Sequence, residues 1–164
     1  MAVVVRRARD TDSDFLSHAI GELQALHATA MPELFKPTAE PYLPERLSNL
    51  LSDPAAHIFV ADVDDRAAGF AHFWISHEPE GENNFSNTKL FISYIYVKAE
   101  RRCKGVGRAL IEEAQNLAKE LDISSIELNV MAFNSSATDF LRSVASFPCV
   151  KCSFERSNDC PLSV

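Results

Sequence analysis

The stretch Lys89–Asn129, KLFISYIYVKAERRCKGVGRALIEEAQNLAKELDISSIELN, constrains this chain more than any other. It reads as an apolar strand, a basic glycine turn, an amphipathic helix and a second strand. The turn, Arg102-Cys103-Lys104-Gly105-Val106-Gly107, places two glycines and a run of backbone amides where a helix begins. Free N–H groups and the positive end of the helix dipole make such a place an anion site. Arg101, Arg102, Lys104 and Arg108 surround it with positive charge. The ligand expected there is a phosphate.

A chain of 164 residues is most simply a single domain, 1–164, with apolar content ample for one core. Its formal net charge of −7 argues against nucleic acid as a partner, because that binding depends on Lys and Arg neutralising phosphates. The same acidity suits a cationic amine. No apolar run approaches bilayer length, and the N-terminal MAVVVRRARDTD lacks the apolar core of a signal peptide, so no membrane association and a cytoplasmic location are expected. Cys149 and Cys152 form a single C-x-x-C without a second ligand pair, so reduced thiols and no metal are expected.

Along the chain, Val3, Val4 and Val5 read as a first strand, and Asp10, Thr11 and Asp12 as caps for a helix. Phe15, Leu16, Ala19, Ile20, Leu23, Leu26 and His27 recur at helical spacing until Pro32 ends the run. Four prolines between His27 and Pro44 suggest a covering loop anchored by Phe35, Tyr42 and Leu43. A short helix opens at Pro44. His57–Val63 and Ala67–His77 form a hairpin, and Glu78–Thr88 a polar loop. After the central stretch, Asn134 and Ser135 cap a last helix to Val144, and Val150–Glu155 closes the series as a strand. The order is β-α-α-β-β-β-α-β-α-β, an α/β domain with a mixed sheet.

Arg102-x-x-Gly105-x-Gly107, between the strand ISYIYV and a long amphipathic helix, resembles the [Q/R]-x-x-G-x-[G/A] signature of the GCN5-related N-acetyltransferase (GNAT) superfamily. Asn134-x-x-Ala137-x-x-Phe140 is similar to the family's later N-x-x-A-x-x-[FLY]-Y segment, and the element order agrees over nearly the full length. The resemblance implies a GNAT-like fold: one mixed, mostly antiparallel central sheet flanked by helices, with a splayed strand pair holding acetyl-CoA. It implies that the cofactor pyrophosphate lies on Arg102, Cys103, Lys104, Gly105, Val106, Gly107 and Arg108. The pantetheine arm would pair with Ile95, Tyr96 and Val97, and Asn134, Ala137 and Phe140 would contact it from the far side.

The implied activity is direct acetyl transfer from acetyl-CoA to a primary amine of a small molecule or protein, with a homodimer left open. Attack requires a neutral amine, hence a proton acceptor. Many relatives carry a carboxylate where this chain has Ser93, and a tyrosine that protonates the departing sulfur where it has Leu141. His27, at the end of the first helix, is the candidate base, and Ser93 occupies the usual catalytic position on the central strand. His72, near Trp74 on the preceding strand, is expected to be structural. A catalytically weak acyl-CoA-binding module of the same fold is the alternative that Ser93 and Leu141 keep open.

Overall fold

In the computed structural model, residues 2–37, 44–144 and 150–155 are described, the last segment by its backbone. Six strands and four helices follow in the expected order: β1 (Val3–Arg7), α1 (Ser13–Ala30), α2 (Pro44–Ser52), β2 (His57–Val63), β3 (Arg66–Glu78), β4 (Asn87–Val97), α3 (Val106–Glu120), β5 (Ile126–Met131), α4 (Ser135–Val144) and β6 (Val150–Glu155). The strands lie in sequence order in one mixed sheet. β1 and β2 run antiparallel from Val3 opposite Val63 to Arg7 opposite Phe59, whereas β5 is parallel to both β4 and β6. Asp64 and Asp65, at φ 51° and 58°, make the two-residue turn between β2 and β3. Two successive positive φ values give the type I′ twist that matches a hairpin.

The chain groups into two compact units, Met1–His72 with Tyr94–Leu110, and Phe73–Ser93 with Ile111–Val164. In the first, Leu16, Ala19 and Ile20 of α1 and Leu47 of α2 bury against Ile58, Val60, Phe70 and Tyr96 of the strands. The opposite side of β3 receives the start of α3. A Cβ on Gly69 would lie 2.6 Å from the Tyr96 carbonyl oxygen, 3.0 Å from Val106 Cγ1 and 3.5 Å from Leu110 Cδ1. Glycine is needed here for approach, since the space for a side chain is already filled by backbone and by α3.

The start of α1 departs from the expected cap. Asp10–Asp12 forms a short 3-10 turn, and α1 begins at Ser13. The Asp12 carboxylate accepts two hydrogen bonds from the Arg6 guanidinium, at 2.7 and 2.9 Å, and one from the Arg9 amide at 2.8 Å. Arg6 also reaches Asp62 at 2.6 Å. A bidentate guanidinium outweighs a neutral amide as partner for a carboxylate, so Asp12 joins β1 to the helix start without capping α1. The Arg6 hydrogen bonds hold the Asp12 carboxyl below its ordinary range.

In the second unit, Phe73, Leu90, Ile111, Ala114 and Ile126 are fully buried. Lys89 at the base of the β3–β4 hairpin bonds Glu78 at 2.6 Å and Glu127 at 2.9 Å. Within the connecting loop, the Gly81 amide donates to the Asn84 carbonyl at 3.0 Å.

Gly69→Ala should cost about 1–3 kcal/mol, because the methyl group meets a backbone oxygen that has no rotamer to yield. Urea unfolding should show a lower midpoint with an unchanged m-value. A variant as stable as the parent would remove the close approach as a constraint on the fold.

Candidate active site

β4 leads directly into the glycine turn. Its parallel register with β5 sets Leu90 beside Ile126, Phe91 beside Glu127 and Ile92 beside Leu128. One step further, Ser93 and Asn129 are both exposed, between buried neighbours Ile92, Leu128 and Val130. At the other end of β4 the Lys98 amide donates to the Ala68 carbonyl at 2.9 Å, and a 3-10 turn, Ala99–Arg101, separates strand from turn. That extra turn was not legible from the residues alone.

The turn itself has the backbone of an anion cradle. Cys103 is at φ 58° and Gly105 at φ 84°, with Lys104 between them. Alternation of left-handed and ordinary conformations brings successive amides onto one concave side. Gly105 adopts a conformation that costs other residues strain, and a Cβ there would meet nothing within 4 Å. The space before α3 is therefore open. The helix begins at Val106, one residue later than the glycine, and the Ala109 amide bonds the Gly105 carbonyl at 3.0 Å. The amides of Val106 and Gly107 precede that bond and have no acceptor within the helix. A phosphate fits this geometry.

The basic side chains contribute less directly than their number suggests. Arg101 turns to Asp64, 3.6 Å away on the β2–β3 turn. Arg102 folds back, its Nε donating to the Val97 carbonyl at 3.2 Å, and Lys104 Nζ donates to the Glu100 carbonyl at 2.9 Å. Arg102, Lys104 and Arg108 stay exposed. Cys103 is exposed and reduced. An anion at this turn would therefore meet backbone amides first, with the side chains setting the surrounding potential.

Tyr96 is buried, and its phenol donates to Glu22 Oε2 of α1 at 2.6 Å. Glu22 Oε1 lies 3.1 Å from His18 Nε2. Burial and the Glu22 carboxylate push the phenol's pKa well above its ordinary value. This hydrogen bond ties β4 to α1 beside the residues expected to pair with a pantetheine arm. Neither Glu22 nor Gly69 was singled out by the sequence. The small-residue run Ala67-Ala68-Gly69 was the available signal for the latter.

His27 sits on the last turn of α1, where its Nδ1 donates to the Leu23 carbonyl at 2.7 Å and its ring lies 5.1 Å from Phe35. A carbonyl only accepts, so Nδ1 carries a proton in this hydrogen bond. Phe35 anchors the loop after α1 as expected; Tyr42 and Leu43 lie outside the described residues. His72 stacks on Tyr94 at 6.1 Å and 20°, and its Nδ1 is buried without a hydrogen-bond partner among the described residues.

In the second unit, Asn134 caps α4, its Oδ1 accepting from the Ala137 amide at 3.1 Å. Asn134, Ala137 and Phe140 are half-buried, while Leu141 is 2 % exposed. The position of the family's tyrosine is therefore a core position in this chain. No cluster of metal-ligating side chains occurs among the described residues, and no described helix is long and apolar enough to cross a membrane. The C-x-x-C pair lies outside the described side chains.

Comparison with known proteins agrees with this architecture. Residues 22–147 match the acetyltransferase (GNAT) family, and the chain belongs to it. Among curated proteins it is 31% identical over 94 residues to the aminoglycoside N(6′)-acetyltransferase type 1 of Klebsiella aerogenes, a stretch covering 57% of this chain and 60% of that relative. The structure of a tetramutant of the BH1408 protein from Bacillus halodurans superposes with a TM-score of 0.83 at 21% identity, covering 97% of this chain and 99% of the other. An aminoglycoside acetyltransferase from an uncultured soil metagenomic sample, in complex with sisomicin, gives 0.66 at 17% identity, with 99% and 96% covered. At these identities the structures establish the fold.

Burial lowers the pKa of both His57 and His72 below the ordinary value of 6.5, and neighbouring Arg7 and His57, respectively, act in the same direction. Asp53 opposes the shift at His72. The folded state resists a proton that the unfolded chain accepts, so stability should fall as pH drops below about 6.5. Melting temperature should decline between pH 7 and 5, and His72→Phe should flatten that slope. An unchanged slope in the variant would show that His72 does not contribute to it.

Proposed function

We propose that this chain is an acetyl-CoA-dependent N-acetyltransferase acting on a primary amine of a small molecule or protein. The observation that carries the reading is the turn before α3, where Gly105 at φ 84° and the open space around it shape a backbone anion site in a chain of the acetyltransferase family. The Arg102–Arg108 turn would hold the pyrophosphate, with Ile95, Tyr96 and Val97 alongside the pantetheine arm. Asn134, Ala137 and Phe140 are proposed contacts on the resemblance of their segment. Bound acetyl-CoA would supply the activated acetyl group.

The chain's own residues then have three tasks. A backbone amide within 95–97 would donate to the acetyl carbonyl oxygen as negative charge builds there. His27, whose Nδ1 is held by the Leu23 carbonyl, is the proposed proton acceptor for the amine. Ser93, exposed on β4, orients the amine or a water but does not ionise near neutrality. Holding two reactants together supplies much of the acceleration of a bimolecular transfer, so side-chain acid–base groups are not the whole of catalysis. A net charge of −7 and the named activity of the curated relative make cationic amines, aminoglycosides among them, the first acceptors to try.

A second reading, an acyl-CoA-binding module with little turnover, is supported by buried Leu141 and by Ser93 in place of a carboxylate. Calorimetry with acetyl-CoA tests what the two share, and absence of binding at millimolar cofactor would discard both. CoA release above the no-acceptor blank, with any of a panel of aminoglycosides, polyamines, amino acids and peptides, would discard the binding module.

Gly107→Val should weaken acetyl-CoA binding at least about tenfold, equivalent to about 1.4 kcal/mol, with a smaller loss of stability. Unchanged affinity with a lowered melting temperature would move the phosphate site elsewhere.

A further inference from the structure

Tyr96 is held through its ring, its phenol and its backbone, and core packing accounts only for the ring. The ring lies near Phe15 and Phe70, with centroids 6.3 and 6.0 Å away. A phenylalanine would fill that space as well. The phenol adds a directional contact, the 2.6 Å hydrogen bond to Glu22 Oε2 on α1. Glu22 is half-exposed, and its other oxygen lies 3.1 Å from His18 Nε2, one turn earlier on the helix. A carboxylate within reach of water gains little net stability from one more hydrogen bond. What this bond adds is direction.

That direction reaches the backbone of β4. The Tyr96 carbonyl oxygen points at Gly69, 2.6 Å from where a Cβ would stand, and the Lys98 amide donates to the Ala68 carbonyl at 2.9 Å. Tyr96 and Lys98 therefore turn their peptide groups toward β3. Successive residues of a strand present amide and carbonyl to opposite edges, so Ile95 and Val97 present theirs to the other edge. There Arg102 Nε takes the Val97 carbonyl at 3.2 Å. The alternation narrows the amides available to a cofactor arm to those of Ile95 and Val97. We propose that Glu22 is a positioning residue: through the Tyr96 phenol it fixes β4 so that the Ile95 and Val97 amides face the arm of acetyl-CoA. This rests on the reading of the chain as an acetyl-CoA-dependent transferase. Glu22 itself touches neither cofactor nor acceptor.

Glu22→Ala and Tyr96→Phe each remove the bond and leave the apolar core filled. Their dissociation constants for CoA, measured by calorimetry well below the melting temperature, should rise about threefold to tenfold, the range expected for one hydrogen bond. The double variant should lose no more than either single one, because both delete the same contact. Glu22→Gln, whose amide oxygen still accepts from the phenol, should recover most of the affinity. Asp12→Ala severs a different tie, that between β1 and the start of α1, and should melt lower while binding CoA as the parent does. Parental affinity in Glu22→Ala or Tyr96→Phe, losses that multiply in the double variant, or an equal loss in Asp12→Ala would overturn this inference and leave the transferase reading intact. Failure of the parent to bind CoA would overturn the transferase reading and the inference with it.

Discussion

The close approach at Gly69 is the constraint on which the rest of the candidate site depends. With no Cβ there, the Tyr96 carbonyl, Val106 and Leu110 all come within contact of one strand position. The strand that leads into the turn and the helix that leaves it are both packed on β3. The turn between them is thereby held at both ends, while its own Gly105 projects into open space. Rigid flanks with an open centre are what a backbone anion site requires, since amides must be fixed in direction before the anion arrives.

Side-chain hydrogen bonds extend that rigidity to α1. The Tyr96 phenol reaches Glu22, and the Asp12 carboxylate gathers Arg6 and the Arg9 amide. These connections join the helix that ends at His27 to the strands that carry the site in the same unit. Arg101, Arg102 and Lys104 are likewise engaged, with Asp64 and with backbone carbonyls. Part of the positive charge around the turn is consequently already engaged, and in the proposed phosphate site direct ligation would fall to peptide N–H groups.

The glycine turn was more legible in the sequence than the side chains proposed for the chemistry. Gly105 and Gly107, placed between an apolar strand and an amphipathic helix, carry a local physical signal, because a turn of that shape demands glycine. Ser93 and Leu141 signal only that two side chains common among relatives are replaced. Their surroundings explain more: Ser93 is exposed just beyond a paired stretch of β4, and Leu141 is core.

By itself, the sequence determined the order of strands and helices, the place of the glycine turn and most of the inward helix stripes, with Leu26 of α1 exposed against expectation. These follow from periodicity and from conformations that only certain residues adopt locally. Tertiary structure decided what depends on residues distant in the chain: that Gly69 is a contact point for Tyr96 and α3, that Asp12 serves Arg6 and leaves α1 uncapped, and that Glu22 answers the Tyr96 phenol across 74 positions. Periodicity marks which side of an element is buried. It carries no information about which distant atom arrives there, and that choice is made only when the elements pack.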